Sequence, residues 1–285
     1  MASLARSLSR PPSASTAVGE LVCGRNQDAV VLAATRVASY LSVPEPGSST
    51  PVIALLTEEA VRLPIGVSVA AGKLPEAGST VRIGDGSIGA GDHVWRAARW
   101  WDPRPRLAAD DLFRHGSELL EVLGEQPDSS FGLPLADALG VAVALAAGDF
   151  GAALEVIGLG PGLTPAGDDV VAGALAVLAL GGRFDERARD AIDARACTHT
   201  TALSAALLAA AGKGQVIPQA ATVLTVLATG GPLVRLRSAT AELFSVGATS
   251  GHDLCAGMAG ILAGSALEGM FRSTGEATMS ARSPR

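Results

Sequence analysis

Aromatic residues are scarce in this chain. Three Trp, one Tyr and six Phe make up 4% of 285 residues, against a hydrophobic fraction of 48%. A core built from this inventory is filled by Ala, Val and Leu, which favours close-packed helices over a large aromatic-rich sandwich. The tryptophans fall in one short segment, Trp95, Trp100 and Trp101, and read as a structural plug at the seam between a first part of the chain and the rest. Cysteine is also rare. Cys23, Cys197 and Cys255 are widely separated, odd in number and without paired metal spacing, which points to reduced thiols in a cytoplasmic protein. Positive charge is in deficit, with a formal net charge of -6 and no dense Lys/Arg block after residue 15, so nucleic acid is not an expected partner. The longest uncharged run, Gly214–Val234, is broken by Gln215, Pro218, Gln219, Gly230, Gly231 and Pro232 and is not expected to span a membrane.

Residues 1–15 hold arginines and serines but no acid and no apolar run, and read as a disordered tail rather than a transit peptide. From 16 to 106 short β-branched runs alternate with turn signals: Ala29–Ala33, Val52–Leu56, Ile65–Val69 and Val81–Ile83, with turns at Pro44–Gly47, Gly72–Pro75 and Gly84–Gly86. Ile83–Ile88 reads as a hairpin or bulged corner. Beyond Pro105 the period becomes helical. The expected helices are Leu107–Leu123, Pro134–Ala147, Pro165–Leu180, Asp185–Ala211, Pro218–Leu227, Leu233–Phe244 and Asp253–Met270, several of them closed by glycine. The class is α+β: a β-rich unit over 16–106, as a small barrel or a twisted antiparallel sheet, then a larger helical unit over 107–271 and a polar tail over 272–285.

One segment concentrates chemistry. Gly158-Leu-Gly-Pro-Gly-Leu-Thr-Pro-Ala-Gly-Asp-Asp169 runs without a break into the apolar stretch Val170–Leu180. Thr164 followed by Pro165 suits an N-cap and a first helical residue. The four glycines Gly158, Gly160, Gly162 and Gly167 exceed what a helix start needs, and they let backbone approach a ligand. Helix N-termini attract anions, yet Asp168 and Asp169 would repel one unless a cation intervenes. The segment has an echo 84 positions later: Gly167–Leu178 aligns without a gap on Gly251–Leu262, with five of twelve residues identical. In both copies an Asp lies in the first turn, Asp169 and Asp253, and a Gly follows four residues on, Gly173 and Gly257. Thr249 and Ser250 precede the second copy as Thr164 precedes the first.

A shared cleft formed by the two helix starts would place Asp168, Asp169, His252 and Asp253 as catalytic candidates. Gly160, Gly162, Thr164, Gly167, Thr249, Ser250 and Gly251 would contact ligand. The three aspartates are also the candidate ligands for Mg²⁺ or Mn²⁺, which would answer the charge problem. His252 suits a proton transfer or an anion contact. First-turn dipole complementation is the plainer account of the acids. Cys197-Thr-His199 points its side chains apart on a helix, and the arginines from Arg183 to Arg195 are mixed with acids and read as a solvated face. Arg235 and Arg237 are a further candidate contact for an acidic substrate.

The Gly158–Asp169 string, followed by Gly247-Ala-Thr-Ser-Gly-His-Asp253, resembles a bacterial family known as a domain of unknown function. Its members include the third, smaller subunit of the allantoin-pathway oxamate carbamoyltransferase. The likeness runs over about 134–267, with only Leu63–Val67 and Trp101-Asp-Pro103 familiar before it. The resemblance implies a transferase complex subunit in purine nitrogen use, working with other subunits on a small anionic substrate. That system converts oxalurate and phosphate to oxamate and carbamoyl phosphate. The Ser-Thr-Arg-Thr phosphate loop of ordinary carbamoyltransferases is missing here, and no family catalytic residue carries over. Two other readings are a free-standing metal-dependent hydrolase, loosely similar to ADP-ribosyl hydrolases but without their Thr-Asp-Asp piece, and a non-catalytic scaffold subunit.

Overall fold

The computed structural model describes residues 11–43, 51–69 and 73–264. The chain divides into a β-rich unit ending at Pro103 and a helical unit beginning at Arg104.

The first unit holds strands β1 (Ser13–Ser15), β2 (Gln27–Ala34), β3 (Ala38–Ser42), β4 (Val52–Leu56), β5 (Gly66–Ser68), β6 (Thr80–Gly84), β7 (Ser87–Ala90), β8 (His93–Arg96) and β9 (Arg99–Trp101), with a short helix α1 (Gly19–Cys23). All nine strands form one sheet in the order β8-β7-β6-β2-β3-β4-β5-β1-β9. Every residue of β4 is buried, as its unbroken apolar run requires, whereas β2 alternates, with Ala29 and Val31 inside and Val30 and Leu32 outside. The expected corner at Ile83–Ile88 is a two-residue hairpin: Asp85 (φ 48°) and Gly86 (φ 75°) both take the left-handed conformation that a type I′ turn needs.

The sheet curls. Its two end strands, β8 and β9, are consecutive in sequence, and the step from Arg96 to Arg99 reaches at most about 11 Å. Ala97 donates to the Gly86 carbonyl at 3.1 Å and Ala98 to the Pro12 carbonyl at 2.9 Å, so the link bonds to both ends of the strand order. Trp95 is buried on β8, while Trp101 on β9 lies 5.4 Å beneath the Arg62 guanidinium. The sheet differs from a purely antiparallel one, since β4 pairs with β5 and β1 with β9 in parallel. Residues 13–15, read from sequence as tail, are strand β1 because β5 and β9 both offer them a ladder. Residues 1–10 of the expected N-terminal tail, the Pro44–Gly47 turn and the 272–285 tail lie outside the described residues.

The second unit comprises α2 (Ala109–Leu112), α3 (Gly116–Gly124), α4 (Leu135–Ala146), α5 (Gly151–Val156), α6 (Ala166–Leu180), α7 (Glu186–His199), α8 (Ala202–Ala211), α9 (Pro218–Ala228), α10 (Leu233–Phe244) and α11 over 250–264. Helices α6 and α11 are buried on nearly all sides, as helices apolar all round must be. The expected helix over 185–211 is two, because Thr200 is extended and the Thr201 hydroxyl caps α8 by accepting from the Ser204 amide at 3.0 Å. The expected 107–123 helix likewise breaks between α2 and α3, and α5 has no counterpart among the expected helices. Helix α11 starts before Asp253, and its expected end at residue 270 lies outside the described residues. Among the described residues no helix is long and apolar enough to cross a membrane.

Candidate active site

The two copies of the Gly-Asp segment are the first turns of α6 and α11, and these helices cross at their repeated glycines. A Cβ on Gly173 would lie 2.0 Å from the Leu254 carbonyl oxygen and 3.0 Å from the Met258 amide. One on Gly257 would lie 1.9 Å from the Val170 carbonyl oxygen and 3.0 Å from the Ala174 amide. Under the 84-residue shift Val170 corresponds to Leu254 and Ala174 to Met258, so the contacts are reciprocal. This is the signature of a local two-fold relation between the copies. The motif's first glycines pack equally closely: Gly167 against the Val156 carbonyl (2.0 Å) and Gly251 against that of Leu243 (1.9 Å). Gly167 and Gly251 thus let α6 and α11 pack closely against α5 and α10.

The N-terminal ends lie together. The Thr164 and Ser250 hydroxyl oxygens are 3.2 Å apart. Pro165, not Thr164, is the N-cap of α6, and its carbonyl accepts from the Asp168 and Asp169 amides at 2.9 and 3.1 Å. Thr164 is therefore displaced by one residue from its expected capping position and freed to meet the second motif. The preceding residues 159–163, including Gly160 and Gly162, form an exposed loop.

The three aspartates have three different environments. Asp168 is buried and fully engaged. Its Oδ1 accepts from the Gly158 amide (2.7 Å), and its Oδ2 accepts from the Ser204 hydroxyl (2.6 Å) and from Thr200. It ties α6 to the Gly-rich loop and to the break between α7 and α8. Asp253 is also buried, and accepts from the Gly132 amide at 3.0 Å and the Leu133 amide at 3.2 Å. Burial pushes its carboxyl above the usual range, partly offset by the Thr249 hydroxyl and those amides.

Asp169 is the exception. Its Oδ2 is enclosed and has no hydrogen-bond partner. Burial drives its carboxyl well above the ordinary value, and the charges of Asp253 and Asp168 push the same way; Ser250 and Thr164 oppose the shift. An acid so placed keeps its proton to a higher pH than a free carboxyl does.

His252 stacks on Phe244 (ring centroids 4.1 Å apart) and meets Phe131 edge-on at 5.4 Å. Its Nδ1 is buried without a partner, and burial lowers its pKa, so the ring is neutral at pH 7. The three aspartates do not converge as cation ligands. Asp168 and Asp253 spend their lone pairs on protein donors, and among the described residues no group of three or more His, Cys, Asp or Glu could hold a metal. The donor set does not fit Mg²⁺ or Mn²⁺. Elsewhere, His199 contacts Arg195 and Thr198 rather than Cys197, and Arg237 pairs with Glu121 and Glu125.

Residues 156–262 match the family model of the oxamate carbamoyltransferase subunit AllH. That stretch is similar to the AllH family over 107 of the 285 residues. The matched stretch contains both Gly-Asp helix starts and the α6–α11 crossing, and it supports a role as a subunit of an oxamate carbamoyltransferase assembly. No curated protein and no solved structure matches the chain. Two parts of the site lie beyond what the motif signals: the Gly132–Leu133 amides that hold Asp253, and the Thr200 and Ser204 hydroxyls that hold Asp168. Both are long-range partners, and only the N-cap character of Thr201 gives a local clue to the second.

Proposed function

We propose that this subunit holds the small anionic substrate or product of the assembly where the starts of α6 and α11 meet, with Asp169 as the proton-carrying residue. The observation that carries this reading is the enclosed, unpartnered Oδ2 of Asp169 beside two hydroxyls contributed by the two motifs. A carboxyl oxygen enclosed without a hydrogen-bond partner is costly to a fold, and such groups cluster where chemistry uses them. The reaction is phosphorolysis of oxalurate. A phosphate oxygen forms a bond to the carbamoyl carbon, the bond from that carbon to the oxamate nitrogen breaks, and the nitrogen takes up a proton as it leaves. Asp169 in its protonated form supplies that proton and recovers one from hydrogen phosphate, so protons and charge balance. Thr164 and Ser250 donate to ligand oxygens, while Asp168 and Asp253 fix the two helix starts. No step is assigned to a metal ion.

The assembly is expected to work in the cytoplasm with the other subunits of the carbamoyltransferase. Co-purification of the full chain with those subunits, and carbamoyl phosphate release assayed from oxalurate and phosphate, test the proposal. Asp169→Asn should assemble normally and lose at least about 100-fold in kcat, as expected for a missing general acid. Full turnover by an assembly carrying Asp169→Asn would overturn it.

A further inference from the structure

The local two-fold relation makes Asp253 a guide to what Asp169 lacks. Asp169 and Asp253 are equivalent residues on helices that the reciprocal α6–α11 crossing relates. Asp253 is occupied by two consecutive backbone N–H groups, Gly132 on both carboxylate oxygens (3.0 and 3.2 Å) and Leu133 on Oδ1 (3.2 Å). The fit is close, since a Cβ on Gly132 would approach Asp253 Oδ2 to 2.9 Å and the Thr249 hydroxyl to 2.7 Å. No described protein segment does this for Asp169, whose Oδ2 is enclosed yet unpartnered.

We infer that Asp169 recognises the N–H edge of a carboxamide or ureide, as Asp253 holds the amide edge of Gly132–Leu133. This rests on the ligand site proposed above and specifies which group of the ligand enters it. Once its proton has passed to the leaving nitrogen, the Asp169 carboxylate is acceptor-only and accepts from the N–H edge of the amide product. A ligand carboxylate in the same place would set two acceptors against each other, which a buried site penalises. The hydroxyls of Thr164 and Ser250 remain as donors for the ligand's carbonyl or carboxylate oxygens. The site would therefore prefer an amide over the matching acid, the kind of discrimination that a polar group left unpaired by the wrong ligand enforces.

The test is a competition series on the reconstituted assembly at pH 8, with oxamate, N,N-dimethyloxamate and oxalate as inhibitors of carbamoyl phosphate formation. Oxamate should inhibit at least about 10-fold more tightly than either analogue, an order of magnitude corresponding to one lost polar partner. Oxalate controls for size, since it lacks the N–H edge without being bulkier. Asp169→Asn should bring the three inhibitors to within about 3-fold of one another, and Ser250→Ala should weaken all three while keeping their order. Equal inhibition by the three ligands in the wild type, with turnover still dependent on Asp169, would overturn amide recognition and leave the proposed site standing. Inhibition by none of them, together with turnover insensitive to Asp169→Asn, would overturn both.

Discussion

Two copies of one device sit side by side in the helical unit and differ in what their acids contact. In the second copy the first-turn acid, Asp253, closes on the Gly132–Leu133 amides and the neighbouring His252 is packed between Phe131 and Phe244. In the first copy the neighbouring position is Asp168, tied to Gly158, Thr200 and Ser204, and the equivalent acid, Asp169, is left without a partner at Oδ2. The crossing that relates the copies is equally tight on both sides. The scaffold is thus symmetric and the chemistry is not. One copy became a structural clamp, and the other kept an acid whose only unused valence points inward.

The comparison breaks most completely at the crossing itself. Gly173→Ala or Gly257→Ala puts a methyl 1.9–2.0 Å from a backbone carbonyl oxygen, which no side-chain rotation relieves. Overpacking commonly costs about 1–3 kcal/mol, and here the helices must separate, so more than about 3 kcal/mol is expected. Gly140→Ala in α4 meets nothing within 4 Å and is the control. That change should stabilise by roughly 0.5–1 kcal/mol through helix propensity alone. Urea denaturation of the four proteins, wild type included, decides it; equal stability of Gly140→Ala and Gly173→Ala would mean that the helices do not cross as described.

Asp253→Ala and Asp168→Ala test the clamps. Each leaves buried donors unpaired, the Gly132 and Leu133 amides in one case and the Gly158 amide with the Thr200 and Ser204 hydroxyls in the other. At about 1–3 kcal/mol per stranded donor, a loss of at least about 2 kcal/mol is expected for either, read as a lower denaturation midpoint. The same substitution at Asp169 strands no comparable set of donors and should cost far less. Similar losses at all three positions would erase the distinction between clamp and site.

The sequence carries the outline of this arrangement because the signals involved are local. The hairpin at Asp85-Gly86 follows from two residues that tolerate positive φ, and the all-buried strand β4 follows from an unbroken apolar run. The helix starts are legible in Thr-Pro and Gly-Asp, and the 84-residue repeat in identities that prove to be the contact points of the crossing. Strands β1 and β9 are not legible, since three residues each carry too little pattern, and their pairing depends on the sheet curling round. The site is legible as a list of residues but not as roles. Nothing within the first motif distinguishes Asp168 from Asp169; what separates them is a break between helices some thirty residues later, whose Thr200 and Ser204 hydroxyls donate to Asp168. A helix places adjacent side chains about 100° apart, so one acid turns to donors and the other to the second copy.

The smallest expected effect isolates that difference by its pH dependence. Asp169 has a folded-state pKa raised above its unfolded value, chiefly by burial. The protonated acid is therefore the form the fold prefers, and this group's contribution is most favourable below about pH 4 and is lost as pH rises through the folded-state pKa. Asparagine at this position carries no charge to bury. Asp169→Asn should match the wild type in melting temperature near pH 4, then exceed it by an amount that grows with pH and levels off above the folded-state pKa. Each kcal/mol of relieved burial corresponds to roughly 2–4 °C for a domain of 150–250 residues. The raised carboxyl of Asp253 is present in both proteins, so its own titration is common to the two curves and only its repulsion of Asp169 enters the difference. A variant that is more stable than the wild type but inactive in the assembly is the outcome expected of an acid kept for chemistry. A melting-temperature difference that stays flat from pH 4 to 9 would show that Asp169 carries no buried charge, and the two copies would then differ in packing alone.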